Sequence, residues 1–330
     1  MKIVRLIISS IIILSLIFTI FIGKDKIKEE NFDKSNIQYQ GVLTLWQVDS
    51  FEGGVGSRKQ FLLKVAREFE KQNNGTLIMV INQTPEGVKE SIKKGVYPDI
   101  ISFGAGTYIN GFSKLNTNNF TIGGVVGNEV YATSWCRGNY ALISKEEIDE
   151  NKLNNIENLI VSKGQFNQPL TAFVLEKGSA KNINAYSPLD AYTTYLSSKN
   201  GVLLGTQRDI FRLKNRGENF YAYPLSNYND LYQYISILST EEVKRFYAEK
   251  FINYLVSDSV QNKLNQIGML SCYTKANYSE EVFINMQSLN KFKTISAFTL
   301  EENLLKMHDN CYSYLKGDLQ ALKKVEKMLI

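Results

Sequence analysis

The sequence predicts an α/β protein in two sheet-forming halves followed by helices. Two stretches of alternating strand and helix signals carry this reading, the first between Val42 and Phe103 and the second between Leu170 and Leu225. The third observation is length. About 300 residues follow an N-terminal apolar run, more than one core holds comfortably, so two lobes are expected.

Val42 to Val48 is a mostly apolar run of strand length. Arg58 to Gln72 places Phe61, Leu62, Val65, Ala66 and Phe69 on one helical stripe. Leu77 to Ile81 reads as a second buried strand. Thr84-Pro85-Glu86 opens a helix with a cap and a first-turn proline, and Gly95 ends it. Ile100 to Phe103 is a third strand, stopping at Gly104. This spacing implies a parallel sheet with right-handed crossovers.

Glu129 to Ile143 reads as one strand through Trp135-Cys136-Arg137-Gly138, followed by a capping box of Ser144 with Glu147. Leu170 to Val174 reads as a strand. Ser187-Pro188-Leu189-Asp190 opens a helix that Gly201 closes, and strands follow at Val202 to Leu204 and Tyr221 to Leu225. Asp230 to Leu238 reads as a helix. Ser239 and Glu242 box the next helix, whose stripe is Val243, Phe246, Tyr247, Phe251 and Leu255. Gln261 to Ile267 ends at Gly268, and two helices fill the chain from Leu300 onward.

The N-terminus reads as an export or anchor segment. Lys2 and Arg5 precede an uncharged run from Leu6 to Ile22, after which Lys24, Asp25, Lys26 and Lys28 restore charge. The run is long for a signal core and slightly short for a free span of about 20 residues. Phe21 makes cleavage after Gly23 poor, and no cysteine follows that could carry a lipid. An uncleaved anchor at 6–22 is favoured over release by signal cleavage. Either way the body is placed beyond the cytoplasmic membrane, on its outer face. The charges on the two sides of the run balance, so this placement rests on the export pattern. Residues 1–23 are the leader, and 24–39 form a polar spacer.

Of the formal net charge of +5, the first 28 residues carry all but about one unit. A nucleic-acid partner needs a basic face, so none is expected. Cys136, Cys272 and Cys311 are widely spaced, with no pair suited to structural zinc. Isolated buried thiols are the expectation, with a Cys272–Cys311 disulfide as the alternative. His308 is the only histidine, on the helix from Leu300 to Leu315, where a surface or packing role is expected. No metal site or cofactor is implied.

Four stretches resemble the extracellular solute-binding proteins of ABC importers, in particular the maltose-binding type. They are Leu43-Thr44-Leu45-Trp46-Gln47-Val48-Asp49 running through the glycine turn to Ala66-Arg67-Glu68-Phe69-Glu70; Tyr97-Pro98-Asp99-Ile100-Ile101-Ser102-Phe103-Gly104; Trp135-Cys136-Arg137-Gly138-Asn139-Tyr140-Ala141-Leu142; and Phe251-Ile252-Asn253-Tyr254-Leu255 through Gln261 to Ile267-Gly268-Met269. Their order and spacing carry the likeness. It implies a type II periplasmic-binding-protein-like fold of two α/β lobes with the ligand in the cleft between them. Lobe 1 would be 40–134 plus 230–290, and lobe 2 would be 135–229 plus 291–330. The implied partners are a small solute, a sugar foremost, and the transmembrane subunits of an ABC permease. The missing lipid-carrying cysteine departs from the family pattern and assigns anchoring to the leader.

Trp46 to Lys59 is the most suggestive stretch for chemistry. Ligands in open α/β sheets bind beyond the carboxyl ends of strands, where helix N-termini present free N–H groups. Asp49, Glu52 and Ser57 fall there, within a glycine-rich turn. Neither nucleotide motif fits. Ser57-Arg58 stands where a phosphate loop needs Lys then Ser or Thr, and Lys59 breaks the dinucleotide fingerprint. A glycine turn merely capped by Ser57 is the plainer alternative.

Sugars present an apolar face to aromatic rings, and their hydroxyls bond carboxylates and arginine. Trp46, Phe103 with Gly104, Trp135, Arg137, Thr206, Arg208 and Tyr228 are therefore candidates beside Asp49, Glu52 and Ser57. A core role for the aromatics is the alternative, as is surface pairing of Arg208 with Asp209 or Glu218. Solute capture by lobe closure is the leading function. A membrane-tethered sensor of the same fold is one alternative. A glycosidase using Asp49 and Glu52 is the less favoured one.

Overall fold

A computed structural model describes residues 39–330 apart from 50, 52–55, 108, 118–121 and 274–275. The leader, all of the spacer but Tyr39, and Glu52 with its glycines lie outside the described residues. Tyr39–Ile330 form one compact unit.

The first sheet is built much as the alternation predicts. Strands β1 (Gly41–Val48), β2 (Thr76–Gln83) and β3 (Ile100–Phe103) run parallel, with β1 between the other two. Helix α1 (Arg58–Gln72) buries Phe61, Leu62, Val65, Ala66 and Phe69. Helix α2 (Pro85–Lys93) is capped by Thr84, whose Oγ1 accepts from the Gly87 N–H at 3.0 Å. Gly95 closes it at a positive φ of 74° that favours glycine.

The predicted strand from Glu129 to Ile143 is three strands. A short ribbon of β4 (Val125–Val126) and β5 (Glu129–Val130) precedes β6 (Thr133–Arg137), which joins the first sheet. Strand β7 (Tyr140–Ser144) belongs to the second. The break falls at Gly138-Asn139. A Cβ on Gly138 would lie 2.9 Å from Gln207 Oε1 and 3.1 Å from Leu231 Cβ, so a larger residue would displace the Gln207 amide. Ser144 opens no helix; its Oγ accepts from the Glu146 N–H in a turn.

The second sheet contains β8 (Asn155–Ser162) and β9 (Ser179–Tyr186), which the sequence reading did not find, with β10 (Val202–Thr206) and β11 (Tyr221–Pro224). Its order is β11-β7-β10-β8-β9. The predicted strand at Leu170 to Val174 is helix α3 (Pro169–Leu175), buried almost all round, with Pro169 at its first position. Helix α4 (Pro188–Ser197) is capped by Ser187 as expected, and α5 (Gln207–Asn215) is boxed by Thr206 with Asp209.

The predicted helix Asp230 to Leu238 is instead strand β12 (Tyr232–Ile237), antiparallel between β3 and β6, completing the order β2-β1-β3-β12-β6. All six of its residues are buried, so neither helical nor strand periodicity marks it. Helix α6 (Glu242–Leu255) follows without the predicted Ser239 box, since Glu241 is its cap and gives no side-chain bond. Then come α7 (Asp258–Gln261), a 3₁₀ turn closed by left-handed Gly268, α8 (Glu281–Ser288), α9 (Glu301–Leu315) and α10 (Leu319–Glu326).

The passages between the sheets are buried and polar. Gly138 N donates to Leu231 O at 2.7 Å, and Asn229 Nδ2 donates to Gly138 O at 2.9 Å. Asn139 N donates to Gln207 Oε1 at 2.9 Å, while its Nδ2 donates to Leu225 O at 3.1 Å. Asp230 accepts from Tyr140 Oη at 2.7 Å and from the Gln168 N–H at 2.9 Å. A third passage joins them, where Asn229 N donates to Lys293 O and Lys293 N to Asn227 O, both at 3.0 Å. Buried polar groups are tolerated when paired, and pairing fixes the geometry of the crossing.

Cys136, Cys272 and Cys311 are all free thiols, and Cys311 lies 3.2 Å from Thr171 Oγ1 where α9 packs on α3. His308 stacks on Tyr312 along α9, with its titration pushed down by burial and by Lys163. No helix among the described residues is long and apolar enough to cross a membrane.

Candidate functional site

Helices α2 and α9 start beside one another, although about 215 residues separate them in sequence. Between their first turns opens a cleft of about 380 Å³. Pro85, Glu86 and Lys89 line it from α2, and Leu300, Glu301, Glu302 and Leu305 from α9. Gly106, just past β3, and Phe166, just past β8, complete the lining. The cleft therefore draws on strand-end loops of both sheets, which is where open α/β folds bind ligands.

Local sequence explains each wall. Thr84 and Pro85 fix the start of α2, and Glu86 sits in the first turn, where the helix dipole favours a carboxylate. Glu301 and Glu302 hold the same place in α9, which has no side-chain cap at Leu300. Gly106 has φ 91°, and its N–H donates to Thr299 O at 2.9 Å. A Cβ there would fall 2.6 Å from Phe166 Cγ and 2.9 Å from Leu304 Cδ1, so only glycine lets these segments meet.

One bond spans the cleft, from Gln165 Nε2 to Glu86 Oε1 at 2.6 Å. It holds the Glu86 carboxyl below its ordinary range, helped by the Glu86 backbone N–H. The lining carries three carboxylates against one ammonium, beside the apolar faces of Phe166, Leu300 and Leu305. Such a set accepts hydrogen bonds from hydroxyls and packs against a ring face. Among the described residues, no group of three His, Cys, Asp or Glu side chains is placed to hold a metal.

The predicted site residues fall elsewhere. Trp46 and Phe103 are buried together in the cluster that packs α2 on the first sheet. Trp135 is fully buried. Its ring stacks on Phe61 at 5.7 Å and its Nε1 donates to Ser102 Oγ at 2.9 Å. Gln233 Nε2 donates to the same Oγ at 3.0 Å and to Val48 O at 2.8 Å, making a polar row across the sheet. Tyr228 is buried against Met307, with its hydroxyl pushed well above its ordinary range by burial.

Arg137 is buried and caps a helix. Its Nη2 donates to Met286 O and Leu289 O, both at 2.8 Å, at the end of α8, and its guanidinium lies over the Phe292 ring. Thr206 caps α5, and Arg208 is half-buried in that helix's first turn. Gly104 is buried beside β3. In this conformation these aromatics and Arg137 face protein, and a core role explains them.

The turn after β1 keeps part of its prediction. Asp49 is half exposed, 3.0 Å from Arg58 Nη2. Arg58 also donates through Nη2 to Phe51 O at 2.6 Å and stacks over the Phe51 ring. Ser57 caps α1, accepting from the Gln60 N–H at 3.4 Å. Sequence reasoning passed over Glu86, Lys89, Gln165, Phe166, Glu301 and Glu302. A signal for the first was present, since Thr84-Pro85-Glu86 starts a helix directly after a parallel strand.

The strand order and the repeated crossings between the sheets give the fold of the two-lobed solute-binding proteins, the type II periplasmic-binding architecture. The chain is similar to the GacH receptor of Streptomyces glaucescens, solved unliganded and with acarbose, with a TM-score of 0.59 at 11% identity, covering 86% of this chain and 95% of that one. It is similar to the sugar-binding protein MalE of Xanthomonas citri, with a TM-score of 0.59 at 12% identity, covering 87% of this chain and 95% of that one. The galacto-N-biose-/lacto-N-biose I-binding protein of the Bifidobacterium longum ABC transporter gives 0.57 at 11% identity, covering 88% and 95%. At such identities the likeness is one of fold. No family model matches the sequence, and no curated protein matches it.

Proposed function

We propose that this protein captures a small solute, a carbohydrate foremost, by closing two lobes over it and passing it to an ABC permease. The observation that carries the reading is the cleft itself, whose carboxylates come from the first turns of α2 and α9 and which Gly106 and Phe166 complete from loops of the two sheets. Solved proteins of the same fold, named for sugars and transport, support it. Binding without turnover fits best, because Asp49 is committed to Arg58 and the cleft carboxylates have hydroxyl acceptance as their simplest role. The lobes proposed are 40–137 with 230–290 and 138–229 with 291–330, the first boundary moved from 134 so that β6 stays in the first sheet. Asp49, Glu52 and Ser57 are proposed as an additional rim contact, and the apolar run 6–22 as the tether on the outer membrane face.

A thermal-shift screen of residues 39–330 against sugars, amino acids, oligopeptides and small anions tests this. A solute at 100 times its dissociation constant adds about 2.7 kcal/mol, a shift of several degrees. A shift with sugars that is reduced to about half in Glu86→Gln supports the reading. A shift with anions alone would move the ligand to the Ser57 turn and refute the sugar assignment.

A further inference from the structure

Sheet register gathers exposed apolar side chains at one end of the first sheet. Val42 pairs in register with Leu77 and Thr44 with Met79, so Val42, Leu77 and Met79 share a face at the amino ends of β1 and β2. The loop after α2 is pinned to the same place, since Asp99 Oδ2 accepts from Thr44 N at 2.8 Å. That loop runs Lys93-Lys94-Gly95-Val96-Tyr97, exposed throughout. Val42, Leu77, Met79, Val96 and Tyr97 are 44–54% exposed, and they make up a third of the 15 large exposed hydrophobics among the described residues. Scattered single hydrophobics are ordinary, whereas a group of this kind marks an interaction surface.

We propose that this end of the first sheet rests on the surface of the phospholipid bilayer. The inference relies on the reading of residues 6–22 as a membrane tether. The described chain begins at Tyr39, three residues before Val42. Sixteen residues, 24–39, join the apolar run to the body, and the body begins at this end of the sheet. A tether attached there brings this end of the body to the bilayer. The chemistry also fits. Apolar side chains insert at the headgroup boundary, Tyr97 is at home there, and Lys93 and Lys94 meet anionic headgroups.

The charges facing the patch include acids. Glu90 pairs with Lys93 at 3.1 Å, and Asp99 and Glu241 both lie within 4 Å of Lys244, leaving Lys94 as the cation for which no acidic partner is found among these groups. A second copy of the chain on this face would bring two such lysine loops together. The cleft lies at the carboxyl ends of the strands, roughly 25 Å away along β1, so the patch does not overlap it.

The test uses the full chain in vesicles of phosphatidylcholine and phosphatidylglycerol carrying a nitroxide-labelled lipid. A fluorophore is placed at Met79→Cys or Val96→Cys on a Cys272→Ser background, with Leu189→Cys on α4 as the control. Quenching at 79 and 96 severalfold above that at 189, reduced to the control by Leu77→Glu, supports the proposal. Equal quenching in a chain that floats with the vesicles overturns it and leaves the tether standing. A chain that does not float with the vesicles overturns the tether and, with it, the proposal. Quenching absent at 79 with a doubled mass in solution assigns the face to a second copy and overturns the proposal.

Discussion

The passages between the sheets and the cleft they support are built from opposite materials. At the passages, Asn139, Gln207, Asn229 and Asp230 are buried, and each spends its polar groups on a protein partner. In the cleft, Glu86, Lys89, Glu301 and Glu302 are exposed, and one bond from Gln165 crosses the space. Fully paired buried polar groups fix one geometry, while exposed side chains can change partners at little cost. Under the proposed function, the passages serve as the hinge, and the cleft is the surface that exchanges its own bond for those of a ligand.

The largest expected effect is on the frame that carries the hinge. Trp135→Ala removes a fully buried ring stacked on Phe61 and the partner of Ser102. It should cost about 3–5 kcal/mol in urea unfolding. A loss below about 1 kcal/mol would show that the ring does not hold the sheet.

Next comes the pH dependence of Asp230. Burial raises its carboxyl from 3.8 to about 6, although Tyr140 and the Gln168 N–H pull the other way. The folded value lies above the unfolded one, so the folded protein holds this proton more tightly. This contribution is full below about pH 4 and lost as pH rises through about 6, and it amounts to at most about 3 kcal/mol. Asp230→Asn should flatten stability across that window. An unchanged slope would place the titration elsewhere.

Gly106→Ala sharpens the comparison from the cleft side. Its positive φ and the contact with Phe166 should cost about 1–3 kcal/mol and hold the two walls apart, so solute affinity falls with stability. Unaltered affinity would remove Gly106 from the closing surface. Glu86→Gln is the smallest in stability, because the group is exposed, and should change unfolding by less than about 1 kcal/mol. Its effect on sugar affinity should be larger, about tenfold, since a charged acceptor is replaced by a neutral one. Equal affinity would mean that Glu86 does not touch the solute.

The frame was more legible in the sequence than the site. Strands β1 to β3 are mostly apolar runs, with Pro85 soon after β2 and Gly104 closing β3, and α1 and α2 show clean stripes with caps at Ser57 and Thr84. The misreadings fall where burial erases periodicity. Tyr232–Ile237 is buried on both faces, and Asp230 before it imitates a helix cap while accepting from Tyr140 and the Gln168 N–H. Pro169–Leu175 is a short helix inside the core, with the length of a strand. The aromatics chosen for the site lie within or beside the predicted strands, and Trp46, Phe103 and Trp135 are buried in this conformation. The cleft draws on four distant segments, around 85, 106, 166 and 300, and no local pattern joins them.

The central claim is closure over a solute, and a distance across the cleft measures it directly. Spin labels at Lys89→Cys and Leu305→Cys, on opposite walls, report that distance by pulsed electron resonance. With the sugar that gives the largest thermal shift, the distribution should narrow and move to the shorter separation. A distribution that stays the same at saturating sugar would contradict lobe closure and the account built on it.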